Sequence, residues 1–309
     1  MAQERTEMDA EWEGPSSPII RHALERTDSV FGLLSAYSYM SPVDRADFSY
    51  YRDTFRHSLK LMDKRIRSGA LKPVNLKDFP LASRWPGYHI EAALFIGSFD
   101  PFQMTHLAMA LRYLASDAAV APVVFVVPEG HFNPNKPLKS EYDYRYQLMS
   151  MQLNGVFNPL VVPLDIGKNA DTIEIVRRFI ALFPGSTLSL SHVLGSDVLP
   201  FAAGLLPEDL GIWHTEARKR GVDFSYRAFV SSRLGAPPPE AHIQRVRSMG
   251  IDIYLDDAPI GAPSSTDFRE GHTFSIVFPT QEVISHMEVL FRYNLNNPWQ
   301  VSRDERRPS

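Results

Sequence analysis

Apolar and polar positions alternate in two different ways along this chain. From about residue 89 onward, short apolar or β-branched runs are separated by segments in which apolar residues recur with helical spacing. Strands that alternate with helices are typical of parallel sheets with crossover helices, so this region predicts a doubly wound α/β sheet. The predicted strands are AALFIG at 92–97, VVFVV at 123–127, LVVPL at 160–164, LSLSHVLG at 188–195 and FSYRAFVSS at 224–232.

Helices are predicted between these strands, and Leu255 and residues 276–278 predict short extended pieces late in the chain. Ligands of doubly wound sheets bind outside the carboxyl ends of the strands, where the strand order reverses. The predicted helices cover about 105–116, 141–154, 171–183 and 281–293. The loops in which we expect the site follow residues 97, 127, 164, 195 and 232.

The amino-terminal region shows only the helical pattern. Residues 18 to 69 predict two or three helices, and glycines and prolines between Gly69 and Gly87 predict a connector. The first 17 residues have a composition that buries too little apolar surface to order itself, so we expect them to be mobile. The predicted divisions are a mobile start at 1–17, a helical extension and connector at 18–88, the α/β domain at 89–297 and a tail at 298–309.

Composition narrows the possible partners and the compartment. The 309 residues carry a formal net charge of −4, which gives no electrostatic reason to expect nucleic acid or anionic membrane as a partner. The absence of cysteine excludes disulfides, thiolate metal sites and cysteine nucleophiles. The first residues lack a secretory signal, and no stretch is long and apolar enough to span a membrane, so we expect a cytoplasmic protein.

The turn after the first predicted strand is a candidate phosphate site. It reads GSFDPFQMTH at 97–106, and we expect Thr105 to cap a helix that begins at about His106. A strand, a tight turn and a helix start direct backbone N–H groups and the positive end of a helix dipole toward an anion. His106 would donate a hydrogen bond to a phosphoryl oxygen. The alternative interpretation is a capping turn with a packed histidine.

A second candidate anion site lies near the end of the domain, at PSSTDFRE, 263–270. Ser265 or Thr266 would cap a helix, and Arg269 follows Thr266 by three residues, which places both on one helical face. Hydroxyls at a helix start with a guanidinium one turn later form an anion cradle. The alternative is an ordinary helix cap with a surface arginine.

These two segments resemble the signatures of the nucleotidyltransferase α/β superfamily, most closely those of nicotinamide/nicotinate mononucleotide adenylyltransferases. The family pattern is G-[ST]-F-[DN]-P followed by H-x-G-H or T-x-x-H, and later I-S-S-T-x-x-R. Gln103 stands where the family usually has His or Thr, and Thr105 stands where it often has Gly. The residues that match the first signature are Gly97, Ser98, Phe99, Asp100, Pro101 and His106.

The resemblance spans about 90–295 and implies a Rossmann-like fold with further site residues. It implies that Ser264, Ser265 and Thr266 bind the β and γ phosphates and that Lys136 contacts the triphosphate. Gly195 and Asp197 would lie near the nucleotide and its metal, and Trp213 would stack on the pyridine ring of the acceptor. Arg145 and Arg233 are the other candidates for substrate contacts, whereas Arg112, Lys60 and Lys64 are interpreted as solvated charges.

The implied reaction transfers AMP from ATP to nicotinamide or nicotinate mononucleotide and releases pyrophosphate, as in NAD biosynthesis. Mg²⁺ would bridge phosphate oxygens, and His106, Lys136 and Arg269 would supply the catalytic donors, because this chemistry is mostly positioning and charge neutralisation. The remaining nucleotide contacts would come from Gly97, Ser98, Phe99, Asp100 and Gln103. The expected partners are a nucleoside triphosphate and a small phosphorylated acceptor, with a homo-oligomer as a possible assembly.

Two alternatives stay open. One is an adenylyl- or cytidylyltransferase that acts on another phosphorylated metabolite, which the glutamine at position 103 permits. The other is a nucleotide-binding sensor or scaffold without turnover, in which residues 19–69 form a partner or self-association surface.

Overall fold

The computed structural model describes residues 14–35, 42–72, 86–131, 139–233, 237–261 and 278. Two helices, α1 and α2, come first, and strands and helices alternate from β1 onward. The bounds of the helices are α1 Pro18–Ser35, α2 Pro42–Arg67, α3 Met104–Ala115, α4 Tyr142–Leu153, α5 Thr172–Ala181, α6 Leu199–Arg220 and α7 Glu240–Ser248. The strands are β1 His89–Gly97, β2 Val124–Pro128, β3 Val161–Pro163, β4 Thr187–Gly195, β5 Asp223–Arg233 and β6 Asp252–Ile260.

The six strands form one sheet in the order β3-β2-β1-β4-β5-β6, and every neighbouring pair is parallel. After β1 the chain moves outward through β2 and β3, and it then returns to place β4 on the other side of β1. This confirms the predicted doubly wound sheet and puts the reversal of strand order between β1 and β4.

Helices cover both faces of the sheet, and alternate strand residues supply the two cores. Helices α1 to α4 pack with residues such as Ala93, Phe95 and Val193 on one face. Helices α5 to α7 pack with residues such as Leu94 and Leu190 on the other. Because successive strand side chains point to opposite faces, each central strand is buried on both sides and reads as a continuous apolar run.

The amino-terminal helices belong to the first of these cores and do not stand apart from the sheet. Phe31 of α1 and Phe55 of α2 pack against Phe157 and Phe278 in one aromatic cluster, with ring centroids 5.2 to 6.0 Å apart. Phe278 is buried, and its backbone N–H donates to the side chain of Gln152 at 2.9 Å. The predicted extension is therefore part of the layer that supports the sheet.

The start of the described chain is anchored, in contrast to the mobility predicted for residues 1–17. The carboxylate of Asp63 accepts hydrogen bonds from the backbone N–H groups of Ser16 and Ser17 and from the Ser16 hydroxyl, at 3.0 to 3.2 Å. Burial alone would raise the pKa of Asp63, but these hydrogen bonds and the nearby Arg67 hold it below its ordinary value. Residues 1–13 lie outside the described residues.

Two helices were not predicted from the sequence. Helix α6 contains Pro207, and Gly211 follows one turn later. Because proline and glycine have the lowest helix propensities, the sequence does not indicate a helix here. Helix α7 begins directly after the prolines at 237–239, a run that does not suggest a helix start. The predicted helix at 281–293 and the predicted tail lie outside the described residues. Among the helices of the described chain, none combines the length and hydropathy that a membrane span requires.

Arg112 is not the solvated charge that the sequence suggested. Its guanidinium donates to the carboxylate of Asp256 and to the Ala258 carbonyl, both at 2.6 Å. Asp256 also accepts from the buried Ser231 hydroxyl at 3.1 Å. Burial raises the pKa of Asp256, and Arg112 opposes that shift. This network ties α3 to β5 and β6.

Candidate functional site

The carboxyl ends of β1 and β4 form the crevice at the reversal of strand order. The two strands keep one register from His89 opposite Thr187 to Phe95 opposite Val193. Two residues further along each strand, Gly97 and Gly195 therefore occupy equivalent positions on neighbouring strands, which are about 4.8 Å apart. The two predicted glycine turns are thus brought together at the edge where this fold binds ligands.

The first turn is shaped by Gly97 and Phe99. Phe99 has φ 43°, a left-handed conformation that non-glycine residues seldom adopt. Its buried ring folds back over Gly97, so that a Cβ placed on Gly97 would lie 2.9 Å from the ring. Position 97 therefore accepts only glycine without a shift of the ring. Backbone strain of this kind clusters at ligand-binding turns.

The helix after this turn begins earlier than predicted. Helix α3 starts at Met104 with Gln103 as its N-cap, and the predicted cap Thr105 is instead a buried residue of the first turn. Gln103 and His106 form a reciprocal capping box: the Gln103 side chain accepts from the backbone N–H of His106, and His106 Nδ1 accepts from the backbone N–H of Gln103 at 3.1 Å. The sequence pattern missed this because glutamine and histidine are uncommon partners in a capping box.

This geometry defines the state of the His106 ring. A neutral imidazole that accepts at Nδ1 carries its proton on Nε2, so Nε2 is the donor nitrogen. The half-buried ring packs against Phe95, Phe99 and Phe102, with centroids 5.9, 4.9 and 5.5 Å away. The three rings and the capping bond together fix the orientation of the imidazole at the start of α3.

Gln103 and Asp100 serve the turn itself. Gln103 is buried and engaged in the cap, so the predicted contact between its side chain and a triphosphate does not fit its position. Asp100 is also buried, and its carboxylate accepts from the backbone N–H of Ser140 at 3.1 Å. Asp100 therefore joins the first turn to the segment before α4.

Arg145 is a structural clamp, which corrects its predicted role in substrate binding. The side chain is buried, and its guanidinium donates to the backbone carbonyls of Ser98, Glu129 at 2.8 Å and Ser140 at 2.9 Å. Tyr142 lies beneath the guanidinium, 5.8 Å from it. Because its donors are committed to three chain segments, Arg145 holds the ends of β1 and β2 against α4.

The loops after β2 and β3 were only partly anticipated. Lys139 donates to the carbonyls of Glu129 at 3.2 Å and His131 at 2.8 Å, a role that no sequence signal indicated. Gly130 and Gly167 lie so close together that a Cβ on Gly130 would meet the Gly167 carbonyl oxygen. These contacts fix the wall of the crevice beside β1.

On the other side of the crevice, Gly195 and Asp197 follow β4 as predicted. Gly195 is buried, and a Cβ on it would meet the carboxylate of Asp197, which folds back over the end of the strand. Asp197 is exposed. Ser196 continues the sheet register, because its N–H donates to the Ser231 carbonyl at 2.9 Å.

Trp213 does not reach the crevice. The indole is buried, donates from Nε1 to the Ile173 carbonyl at 3.2 Å and packs 5.3 Å from the Tyr226 ring. Tyr226 pairs with Leu190, five residues before Gly195, which is about 16 Å along the strand. The predicted stacking on an acceptor ring is therefore corrected: Trp213 is a core residue.

Several predicted contacts lie outside the described residues. Arg233 ends β5 opposite Ile260, but its side chain is not described. Lys136, the hydroxyl residues Ser264, Ser265 and Thr266, and Arg269 are likewise outside the described part of the chain. Strand β6, which precedes the second motif, ends at Ile260 on the same edge of the sheet as the crevice.

A Mg²⁺ ion at the crevice would need at least one protein carboxylate beside it. The described residues contain no group of three or more His, Asp or Glu side chains arranged around a metal. Mg²⁺ usually binds one or two carboxylates together with substrate phosphates and water. Asp197, whose exposed carboxylate covers Gly195, is a carboxylate of this kind.

Comparison with known proteins gives similarity to solved structures. No protein-family model matches the chain, and no curated protein matches it significantly. Plasmodium falciparum nicotinic acid mononucleotide adenylyltransferase complexed with NaAD is similar with a TM-score of 0.45 and 16% identity, over 67% of this chain and 97% of that chain. The same enzyme complexed with APC gives a TM-score of 0.43 and 16% identity over the same shares.

Proposed function

We propose that the chain is a nucleotidyltransferase that joins a nucleoside triphosphate to a small phosphorylated acceptor and releases pyrophosphate. The proposal rests mainly on the fixed orientation of the His106 imidazole at the start of α3. Its Nδ1 is occupied by the capping bond, so Nε2 is the donor, and the ring stands in the first turn of α3 beside the crevice. A fixed donor at a helix N-terminus suits a phosphate group.

In the proposed reaction, an oxygen of the acceptor phosphate attacks the α-phosphorus of the triphosphate. The new bond joins that oxygen to the α-phosphorus, the bond to the bridging β-phosphate oxygen breaks, and pyrophosphate leaves with the electron pair. The acceptor phosphate is already ionised at neutral pH, so the protein needs no general base. His106 donates to a phosphoryl oxygen. The backbone N–H groups of the turn between β1 and α3 hold the phosphates.

Mg²⁺ would be held by the triphosphate and by Asp197, where it would neutralise phosphate charge. Lys136 and Arg269 are the proposed cations for the triphosphate, and Ser264, Ser265 and Thr266 the proposed hydroxyl donors. The resemblance to the family signatures supports these residues. The segment at 263–270 also follows β6, whose carboxyl end lies at the same edge of the sheet as the crevice.

The acceptor is proposed to be nicotinamide or nicotinate mononucleotide, with ATP as the donor, because the first motif most resembles that family. The buried Trp213 offers no platform for a pyridine ring. That observation favours keeping a second candidate, an adenylyl- or cytidylyltransferase for another phosphorylated metabolite.

Pyrophosphate release by the purified chain with Mg²⁺ tests the proposal. ATP and CTP are each combined with nicotinamide mononucleotide, nicotinate mononucleotide and a panel of other phosphorylated acceptors. Release with ATP and either mononucleotide would support the first candidate, and release with another pair would support the second. Triphosphate binding without release from any pair would overturn the catalytic proposal in favour of a sensor.

The variant His106→Gln tests the role of the imidazole without removing the capping box. Glutamine at this position of a capping box keeps the hydrogen bond to the N-cap, so α3 should form as before while the imidazole is lost. We expect turnover to fall by about 10²–10³-fold, as for the loss of one transition-state donor. The control is Arg247→Gln, which changes an exposed arginine of α7. Equal turnover in the two variants would remove His106 from the reaction.

A further inference from the structure

A second cavity lies away from the crevice, beside the carboxyl end of α3. Its volume is about 230 Å³, which is below the range of about 300–1,000 Å³ for drug-sized ligands. Tyr113 of α3 lines it, seven residues after His106 and therefore about 10 Å further along the helix. Its ligand must be small, and it would not compete directly for the crevice.

Two opposite charges line this cavity side by side. Arg227 of β5 and Asp252 of β6 are paired in the register of the sheet, on strands about 4.8 Å apart. Within the described part of the chain, no ion pair or hydrogen bond joins the two side chains. Asp252 is exposed and Arg227 half-buried, so the charges stand at the mouth of the cavity.

The interior adds two buried hydroxyl groups. Tyr113 and Ser191 are each 1% exposed, and their hydroxyls lie close together. The Ser191 hydroxyl lacks a well-formed hydrogen bond among the described residues, which is costly for a buried polar group. The side chains of Tyr113 and Ser191 line the cavity beside Arg227, so this part of its wall is polar.

An aromatic wall completes the cavity. The Tyr254 ring stacks on Phe229 with 5.4 Å between centroids and an interplanar angle of 7°. Phe229 is buried and packs edge-on against Tyr113 at 5.2 Å. Tyr254 is 44% exposed, which leaves much of this large apolar side chain in contact with solvent. An aromatic ligand would find a partner for stacking on this side.

We infer that this cavity binds a small zwitterion, an α-amino acid with an aromatic side chain. The ligand carboxylate pairs with Arg227. The ligand ammonium pairs with Asp252, and the ring packs against Tyr254. An isolated anion or cation would leave one of the two protein charges without a partner, so the adjacent opposite charges select a ligand that carries both.

Calorimetric titration of the full chain with L-phenylalanine tests the inference. No nucleotide is added, so the result is independent of the proposed function. We expect saturable binding to the wild-type protein and a loss of about tenfold or more in affinity for Arg227→Gln and for Asp252→Asn. Arg247→Gln, an exposed arginine outside the cavity, is the matched control and should bind as the wild type does.

Two ligand analogues separate the charges. Phenylpropionate lacks the ammonium and phenethylamine lacks the carboxylate, so both should bind the wild-type chain at least about tenfold more weakly than phenylalanine. Asp252→Asn should reduce the difference in affinity between phenylalanine and phenylpropionate, because the ligand ammonium loses its partner. Absence of saturable phenylalanine binding, unchanged affinity in a thermally stable Arg227→Gln variant, or equal binding of phenylpropionate would each overturn the inference.

Discussion

Tyr51 of α2 and Thr105 of α3 share a hydrogen bond of 2.5 Å between their hydroxyl oxygens, and both side chains are buried. Thr105 lies between Gln103 and His106 in the first turn of α3. The layer formed by the amino-terminal helices therefore holds the helix start on which the proposed phosphate site depends. This contact gives residues 42–67 a structural task close to the crevice.

Tyr51→Phe should lower the free energy of unfolding by about 1–2 kcal/mol, because it leaves the buried Thr105 hydroxyl without this partner. Urea unfolding measures the loss, and ATP titration of the folded variant should show weaker binding. Tyr50→Phe is the control, since the Tyr50 hydroxyl donates to the Pro259 carbonyl at 3.2 Å from a partly exposed position. Equal losses in both variants would contradict a special role for the Tyr51 contact.

Arg145→Met should destabilise the fold by about 2–4 kcal/mol, since the carbonyl groups of Ser98, Glu129 and Ser140 each lose a hydrogen bond at once. Arg145→Lys should recover only part of this, because an ammonium cannot reproduce the planar guanidinium that serves three chain segments. Chemical denaturation measures both. Arg177→Gln is the control. That side chain is 41% exposed and pairs with Glu174 and, at 3.4 Å, with Glu216, which keeps Arg220 as a partner, so its loss should cost less than about 1 kcal/mol.

If Arg145→Met lowers the free energy of unfolding as little as Arg177→Gln does, the hydrogen bonds of Arg145 are dispensable for stability. A variant that stays stable but binds a phosphorylated acceptor more weakly would restore the role in substrate binding that the sequence suggested.

The strands were predictable because short, continuous apolar runs such as 92–97 and 123–127 are typical of strands in a sheet that is buried on both faces. The positions of Gly97 and Gly195 at the ligand-binding edge followed from the same pattern. Side-chain partners did not follow. Arg145 and Trp213 sit in motifs that suggest ligand contacts, but their polar atoms are directed to backbone carbonyls that are distant in sequence. Sequence spacing carries no information on such tertiary partners.

Two buried groups, Asp209 of α6 and His192 of β4, should titrate with opposite effects on stability. Burial, followed by the charges of Asp171 and Glu208, raises the pKa of Asp209 to about 6. Burial lowers the pKa of His192 to about 4, and its Nδ1 lies 2.9 Å from the Tyr226 hydroxyl. The raised carboxyl pKa makes stability fall as pH rises from about 4 to 6. The lowered imidazole pKa makes stability fall as pH drops from about 6.5 to 4.

Asp209→Asn should therefore gain stability relative to the wild type as pH rises from 4 to 6, because it removes a carboxyl that ionises unfavourably in the folded state. His192→Gln should gain relative to the wild type as pH drops from 6.5 to 4, because it removes an imidazole that resists protonation. Urea midpoints measured across pH 4 to 8 give both differences. A pH-independent difference for either variant would exclude that group as a determinant of pH-dependent stability.

Gln103→Ala and Gln103→Ser distinguish a capping residue from a ligand-binding one. Alanine removes the side-chain acceptor for the His106 N–H and should cost about 1 kcal/mol of stability, with a weaker affinity for ATP because the first turn of α3 frays. Serine is a favourable N-cap and should restore both stability and affinity. If serine restores the urea midpoint but leaves ATP binding as weak as in the alanine variant, Gln103 contacts the triphosphate itself. The capping geometry around His106 would then describe only the nucleotide-free chain.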